Sequence, residues 1–399
     1  MTRLEVDRLL DDPRTRIIVC CGSGGVGKTT TAAALGLRAA ERGRHVVVLT
    51  VDPARRLAQS MGLTSLDNTP RPVPGAVRDP QLGGTLHAMM LDMKRTFDEI
   101  VEAHSDPGRA AQILANPFYQ SLSSSFAGTQ EYMAMEKLGQ LRQSDEWDLI
   151  VVDTPPSRSA LDFLDAPQRL GRFLDGRLIR LLSAPTRVGG RAYLRVVTAG
   201  FGMLTGVITK VIGTQVLRDV QTFVAAFDTM FGGFRQRADD TYRLLQAPGT
   251  AFLVIATPEP DALREASYFV ERLSQDRMPL AGLIVNRVHR SPAAQLSAAR
   301  SLAAAETLES APAATPVRPD DGGTAPPIRY PLAATALRLH AERMQLGERE
   351  RRLEEHFTAA HPVIPVVEVP AQPEDVHDLD GLRIIGAELA SVAGAEVSD

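Results

Sequence analysis

With 399 residues and a hydrophobic content of 44%, the chain can bury one large core or two modest ones. Its net charge of −4 argues against a globally basic nucleic-acid binder while leaving room for a local basic patch. The only cysteines, Cys20 and Cys21, are neighbours, which excludes a spaced disulfide framework and a C-x-x-C metal site.

The amino-terminal stretch MTRLEVDRLLDDPRTR is charged and lacks an apolar core of signal-peptide length, so the sequence points to a cytoplasmic protein. Ile17 to Cys21 then reads as a buried strand, and Thr29 to Arg42 has the alanine and leucine content of a helix stopped by Gly43. Further strands are expected at His45 to Val51, Thr85 to Leu91, Trp147 to Val152, Ala251 to Ala256, Leu280 to Val285 and Val363 to Val369. Short apolar strands separated by helices predict an α/β fold with a doubly wound, mostly parallel sheet. In such sheets ligands sit at the carboxyl ends of the strands, where Gly22, Asp52 and Asp153 all fall.

Two stretches interrupt the alternation. From Leu161 to Leu245 no strand signal occurs, so residues 161–246 are expected to form a helical insertion between core segments 1–160 and 247–399. The proline-, glycine- and alanine-rich stretch 310–327 is expected to be a flexible surface loop.

Between the first strand and helix lies Gly22-Ser23-Gly24-Gly25-Val26-Gly27-Lys28-Thr29-Thr30, which fits the phosphate-cradling pattern G-x-x-x-x-G-K-[ST]. Glycines let the backbone curl so that N–H groups and the positive helix end face an anion. Lys28 would reach the terminal phosphates and Thr29 would ligate magnesium. A glycine turn with an exposed lysine is the plain alternative, but the strand and helix on either side favour the cradle. So does the scarcity of lysine, which occurs only at Lys28, Lys94, Lys137 and Lys210. Asp153, at the end of WDLIVVD, fits the carboxylate that holds a magnesium-bound water, against a strand-end turn residue. Asp52 could position the attacking water or cap a helix. Asn286, at a strand end, could pair with adenine because an amide donates and accepts together, or could simply make a turn.

Taken as a set, DPA after the second strand, DTPPS at 153–157, TPEP at 257–260 and VNR at 285–287 resemble the arsenite-pump and tail-anchored-protein targeting ATPase family. That family lies within the MinD/ParA-like class of dimeric P-loop ATPases. The resemblance runs from Ile17 to about Leu389 and is nearest to the actinobacterial branch of anion-transporting ATPases. It implies ATP and Mg2+ as cofactors, with Lys28 and Asp52 catalytic and Asp52 orienting the attacking water. Thr29, Asp52 and Asp153 would serve the metal. The nucleotide would touch the loop from Gly22 to Thr30, together with Glu259, Asn286, Arg287, Val369 and Pro370.

The sequence departs from that family twice. Where members carry a signature lysine that reaches across the dimer to the partner's phosphates, this chain has Ser23, and a serine supplies no cation. Either the chain turns over slowly as a homodimer, or it pairs with a lysine-bearing paralogue as a heterodimer. The cysteine sites for arsenite and for a C-x-x-C zinc clasp are also missing, so arsenite pumping and zinc are not expected; 337–357 reads as a charged helix instead.

Residues 196–217 are apolar, but four glycines and Lys210 make them a poor membrane span. Ordinary helical core is the plainest use; a groove for a hydrophobic client or membrane protein, lined by residues such as Phe201, Met203, Phe223 and Phe227, is the functional one. Seven arginines between Arg169 and Arg195 make a solvated helix face or an anion-binding patch. The reading is thus a cytoplasmic, dimeric Mg-dependent ATPase, not an integral membrane protein, with a peripheral place at the inner membrane face compatible with it. A weakly active regulatory ATP-binding subunit and a ParA-like, nucleic-acid-binding positioning ATPase are the alternatives, and the motif set favours the first reading over both.

Overall fold

A computed structural model describes residues 2–52, 56–117, 119–120, 123, 129–155, 236–310 and 331–391. The expected loop at 310–327, apart from Ser310, which ends a helix, lies outside these residues, as do the arginine run and the apolar segment 196–217. So does most of the expected insertion, of which 236–246 is helical.

Eight strands form one sheet in the order β3-β4-β2-β5-β1-β6-β7-β8. They are β1 (Ile17–Cys21), β2 (His45–Thr50), β3 (Arg71–Pro72), β4 (Thr85–Met90), β5 (Leu149–Asp153), β6 (Thr250–Ala256), β7 (Leu280–Val288) and β8 (Val366–Pro370). All neighbours pair in parallel except β3, which runs antiparallel to β4. The sheet is therefore the expected doubly wound type. Strands β1, β5 and β6 are buried at every residue, which explains why their sequences are continuous apolar runs rather than alternating ones.

Register carries the expected site residues to one edge. Asp153 pairs with Cys20 on one side and with Thr50 on the other, so the ends of β1, β5 and β2 are level. Helix α2 (Lys28–Glu41) starts directly from the loop after β1, and its alanines lie flat against the sheet with Ala32, Ala33, Ala34, Leu35 and Leu37 buried. Helix α3 (Arg56–Ser60) follows β2.

The amino terminus holds more structure than its charge suggested. Helix α1 (Val6–Asp11) buries Val6 and Leu10, while the Leu4 amide donates to the Val366 carbonyl at 3.2 Å. On the carboxyl half, α7 (Pro260–Gln275) starts with proline at its first turn and buries a stripe that includes Leu263, Phe269 and Leu273. Between β4 and β5 come α4 (Met93–His104), α5 (Pro107–Leu114) and α6 (Thr129–Gln143). The remaining helices are α8 (Ala298–Ser310), α9 (Pro331–Ala360) and α10 (Leu379–Ala390). The charged helix expected at 337–357 is the middle of α9. Among the described residues, no helix is long and apolar enough to cross a membrane.

Candidate functional site

The loop from Gly22 to Gly27 can take its shape only with glycine at key points. A Cβ at Gly22 would stand 2.1 Å from the Ile255 carbonyl oxygen, so the loop passes too close to β6 for any side chain. Gly27 has φ +93°, and a Cβ there would meet the Asn286 side-chain nitrogen at 2.3 Å. Lys28 folds back inside the arch and its Nζ donates to the Ser23 carbonyl at 2.8 Å. Burial lowers the Lys28 ammonium from its ordinary value, and the nearby carboxylates of Asp153 and Asp52 oppose the shift. An anion seated in the arch would relieve that cost.

Beneath the loop sits Asp153, fully buried. Its Oδ2 accepts from the Thr29 hydroxyl at 2.7 Å and from the Thr50 hydroxyl at 2.9 Å. Its Oδ1 is buried and has no hydrogen-bond partner among the described residues. Burial pushes the Asp153 carboxyl up to about 6, even though both hydroxyls and Lys28 pull the other way. A buried, half-satisfied carboxylate is costly by about 1–3 kcal/mol or more, and a cation with its bound water would complete it. The donor chemistry of Thr29 and Asp153 therefore fits a magnesium ion. Asp52 is half-buried one residue beyond Val51; its amide donates to the Thr50 hydroxyl at 3.2 Å. Its charge acts on both Lys28 and Asp153, which puts it at the same centre.

A cavity of about 560 Å³ opens beside the loop, between Gly27 and Thr30 on one side and Asn286, Arg287, His289 and Pro370 on the other. Asn286 is buried, and its side-chain amide donates to the Val26 carbonyl at 2.8 Å. The residue expected to meet the base thus also braces the phosphate loop. Val369 does not line the cavity: it is buried in β8 as the register partner of Asn286, so its contribution is alignment. Pro370 and the residues after it form the wall.

Ser23, Gly24, Gly25 and Val26 line a second cavity of about 460 Å³ together with Glu259 and Arg287. Glu259 is the residue preceding α7 and stands apart from Asn286, on the other side of the loop. Arg287 borders both cavities, is exposed, and occupies the left-handed region at φ +63°. The β7/β8 register shifts there, with Asn286 opposite Val369 and Val288 opposite Pro370. Holding a non-glycine residue in that region costs about 1–3 kcal/mol and is characteristic of binding sites.

Two contributors were missed by sequence reasoning. Thr50 precedes Asp52 by two residues, and a hydroxyl at the end of an apolar strand was the available signal. His289 had none, because its partner Glu350 lies 61 positions away.

A glycine-bounded cradle after the first strand of a mostly parallel sheet, with a buried carboxylate on the neighbouring strand β5 bonded to the threonine after the loop lysine, defines a P-loop nucleoside triphosphatase. The chain belongs to the anion-transporting ATPase family, whose profile matches residues 15–310, and it is an ATPase of that family. It is similar to ATPase get3 of Schizosaccharomyces japonicus, 24% identical over 291 residues, covering 72% of this chain and 79% of that protein. ATPase get3 of Schizosaccharomyces pombe is 23% identical over 288 residues, covering 72% and 78%. ATPase GET3 of Malassezia globosa is 30% identical over 169 residues, covering 42% of this chain and 47% of the relative.

Proposed function

We propose that this chain is a magnesium-dependent ATP hydrolase that works as one half of a dimer and uses its nucleotide state to hold and release a partner or hydrophobic client. The observation that carries the reading is the buried Asp153 carboxylate, bonded to Thr29 on one oxygen and without a partner on the other among the described residues. Thr29 and Asp153 hold the metal, which when bound offsets charge on the phosphates. Lys28 and the loop amides bind the phosphates, and Asp52 orients the attacking water. Glu259, in the second cavity, and Arg287, which borders both, belong to the face toward a second subunit. The 161–246 insertion carries the client, and the protein acts in the cytoplasm.

Ser23 favours a particular partner. With no cation at that position, the charge that completes the site comes from a lysine-bearing paralogue, and this chain returns none. Phosphate release by the purified chain, with and without Mg2+ and with and without such a paralogue, tests the reading. Absence of Mg-dependent release in every combination would sink it. Fast release by the chain alone as a homodimer would sink the paralogue.

A further inference from the structure

His289 follows the end of β7 by one residue and lines the cavity beside Asn286. One carboxylate fixes it: Glu350 of α9 accepts the His289 backbone N–H through Oε2 at 2.8 Å and meets the ring Nδ1 through Oε1 at 2.7 Å. Helix α9 comes this close because Gly347 has no side chain; a Cβ there would stand 2.8 Å from the His289 carbonyl oxygen. Glu350 is only 5% exposed, so water does not compete for these contacts.

The contacts of Glu350 point to where the ring hydrogen sits. Glu350, Glu354 and Glu368 crowd one another here. Arg290 pairs with Glu368 at 2.7 Å, and Glu350 has the two His289 groups. Glu354 has one buried oxygen without a partner among the described residues, and burial followed by the Glu368 charge pushes its carboxyl up to about 8. Glu350 already accepts the His289 backbone N–H with one oxygen, and its other oxygen, 2.7 Å from the ring, accepts there as well. Nδ1 then bears the hydrogen, and in the tautomer that this contact favours the lone pair lies on Nε2. No hydrogen bond to Nε2 occurs among the described residues.

Asn286 commits one amide hydrogen to Val26, which leaves it less free to recognise a base. Adenine presents an amino group at C6, where guanine presents a carbonyl oxygen. We propose that His289 reads the nucleobase: its Nε2 accepts from the C6 amino group of adenine and its lone pair repels the guanine carbonyl, with Glu350 as the positioning residue that fixes the tautomer. This rests on the ATP reading above.

The test compares binding of ATP, GTP and purine riboside 5′-triphosphate, which lacks the C6 amino group, to the full chain by competition against a fluorescent ADP. The wild-type chain should bind ATP about tenfold more tightly than either analogue, the worth of one hydrogen bond. His289→Phe, at a half-exposed position, should bring all three within about threefold of one another, by weakening ATP and leaving the riboside unchanged. Glu350→Ala should also narrow the preference while keeping riboside affinity, a pattern that general loss of structure would not give. An unchanged preference in His289→Phe, an equal loss for all three nucleotides, or a wild type indifferent to the C6 group overturns the proposal. A wild-type chain that binds none of the three refutes the ATP reading instead.

Discussion

The Asn286 side chain donates to the Val26 carbonyl at 2.8 Å, tying the end of β7 to the phosphate loop across 260 positions of sequence. Gly27 is the neighbour that makes this contact feasible, since a Cβ there would occupy the place of the Asn286 amide. The end of β7 and the glycine loop are therefore one mechanical unit. Asn286→Leu leaves a buried carbonyl without its donor, at a cost of about 1–3 kcal/mol. The expected result is a lower melting temperature together with about tenfold weaker ATP binding. Weaker binding at an unchanged melting temperature would assign Asn286 to the base alone.

Thr50 is the second hydroxyl on Asp153 Oδ2, at 2.9 Å, and its own oxygen accepts the Asp52 amide. Thr50→Val keeps the shape and removes both contacts. Asp153, already pushed up to about 6, should rise further and hold a cation less well. Titrating phosphate release with Mg2+ should show half-maximal activity moved to several-fold higher magnesium. An identical titration would reduce Thr50 to packing.

Lys28 and Asp52 should separate binding from turnover. Lys28→Ala removes the cation inside the arch and should abolish nucleotide binding, measured by equilibrium dialysis. Asp52→Asn keeps size and polarity, so binding should persist while turnover stops. Undiminished hydrolysis in Asp52→Asn would remove it from the mechanism.

What was legible in the sequence was local. Apolar runs ending in Gly22, Asp52 and Asp153 placed three strand ends on one edge, because a parallel sheet aligns strands that point the same way. The β-strands from β1 to β8 fall within a few residues of their expected bounds, apart from the two-residue β3, which is too short to leave a periodic signal. Helix α1 was hidden because six residues with two buried positions look like charged tail. Contacts between distant segments were not legible. Asn286 reaching Val26, and Glu350 holding His289, depend on register shifts and helix docking that no spacing rule encodes.

The buried Glu354, Glu350 and Glu368 cluster should leave a signature in stability against pH. Glu354 has an ordinary value of 4.5 and sits at about 8 in the fold, beside Glu350, Glu368 and Arg290. Below 4.5 it is protonated whether folded or not, and stability is at its full value. Across the window from 4.5 to about 8 the folded chain holds a proton that the unfolded chain has released, so this group's contribution falls as pH rises. Glu354→Gln carries no such proton. Thermal melts from pH 5 to 9 should show the variant gaining on the wild type as pH increases. A constant difference would mean that Glu354 ionises normally.

Ser23 offers the sharpest prediction about assembly. The loop positions Lys28 against the Ser23 carbonyl, so the backbone at 23 is fixed and only its side chain is free to change. Ser23→Lys restores a cation at the loop's outer face, where Glu259 also lies. If two copies can dock through that face, each lysine serves the other's phosphates, and turnover of the chain alone should rise about tenfold or more. If the chain docks only on a paralogue, Ser23→Lys leaves its solitary turnover unchanged and speeds the partner's site in a reconstituted pair. Measuring both, alongside mass by light scattering with ATP bound, separates a slow homodimer from half of a heterodimer; a wild-type homodimer already turning over fast would contradict both.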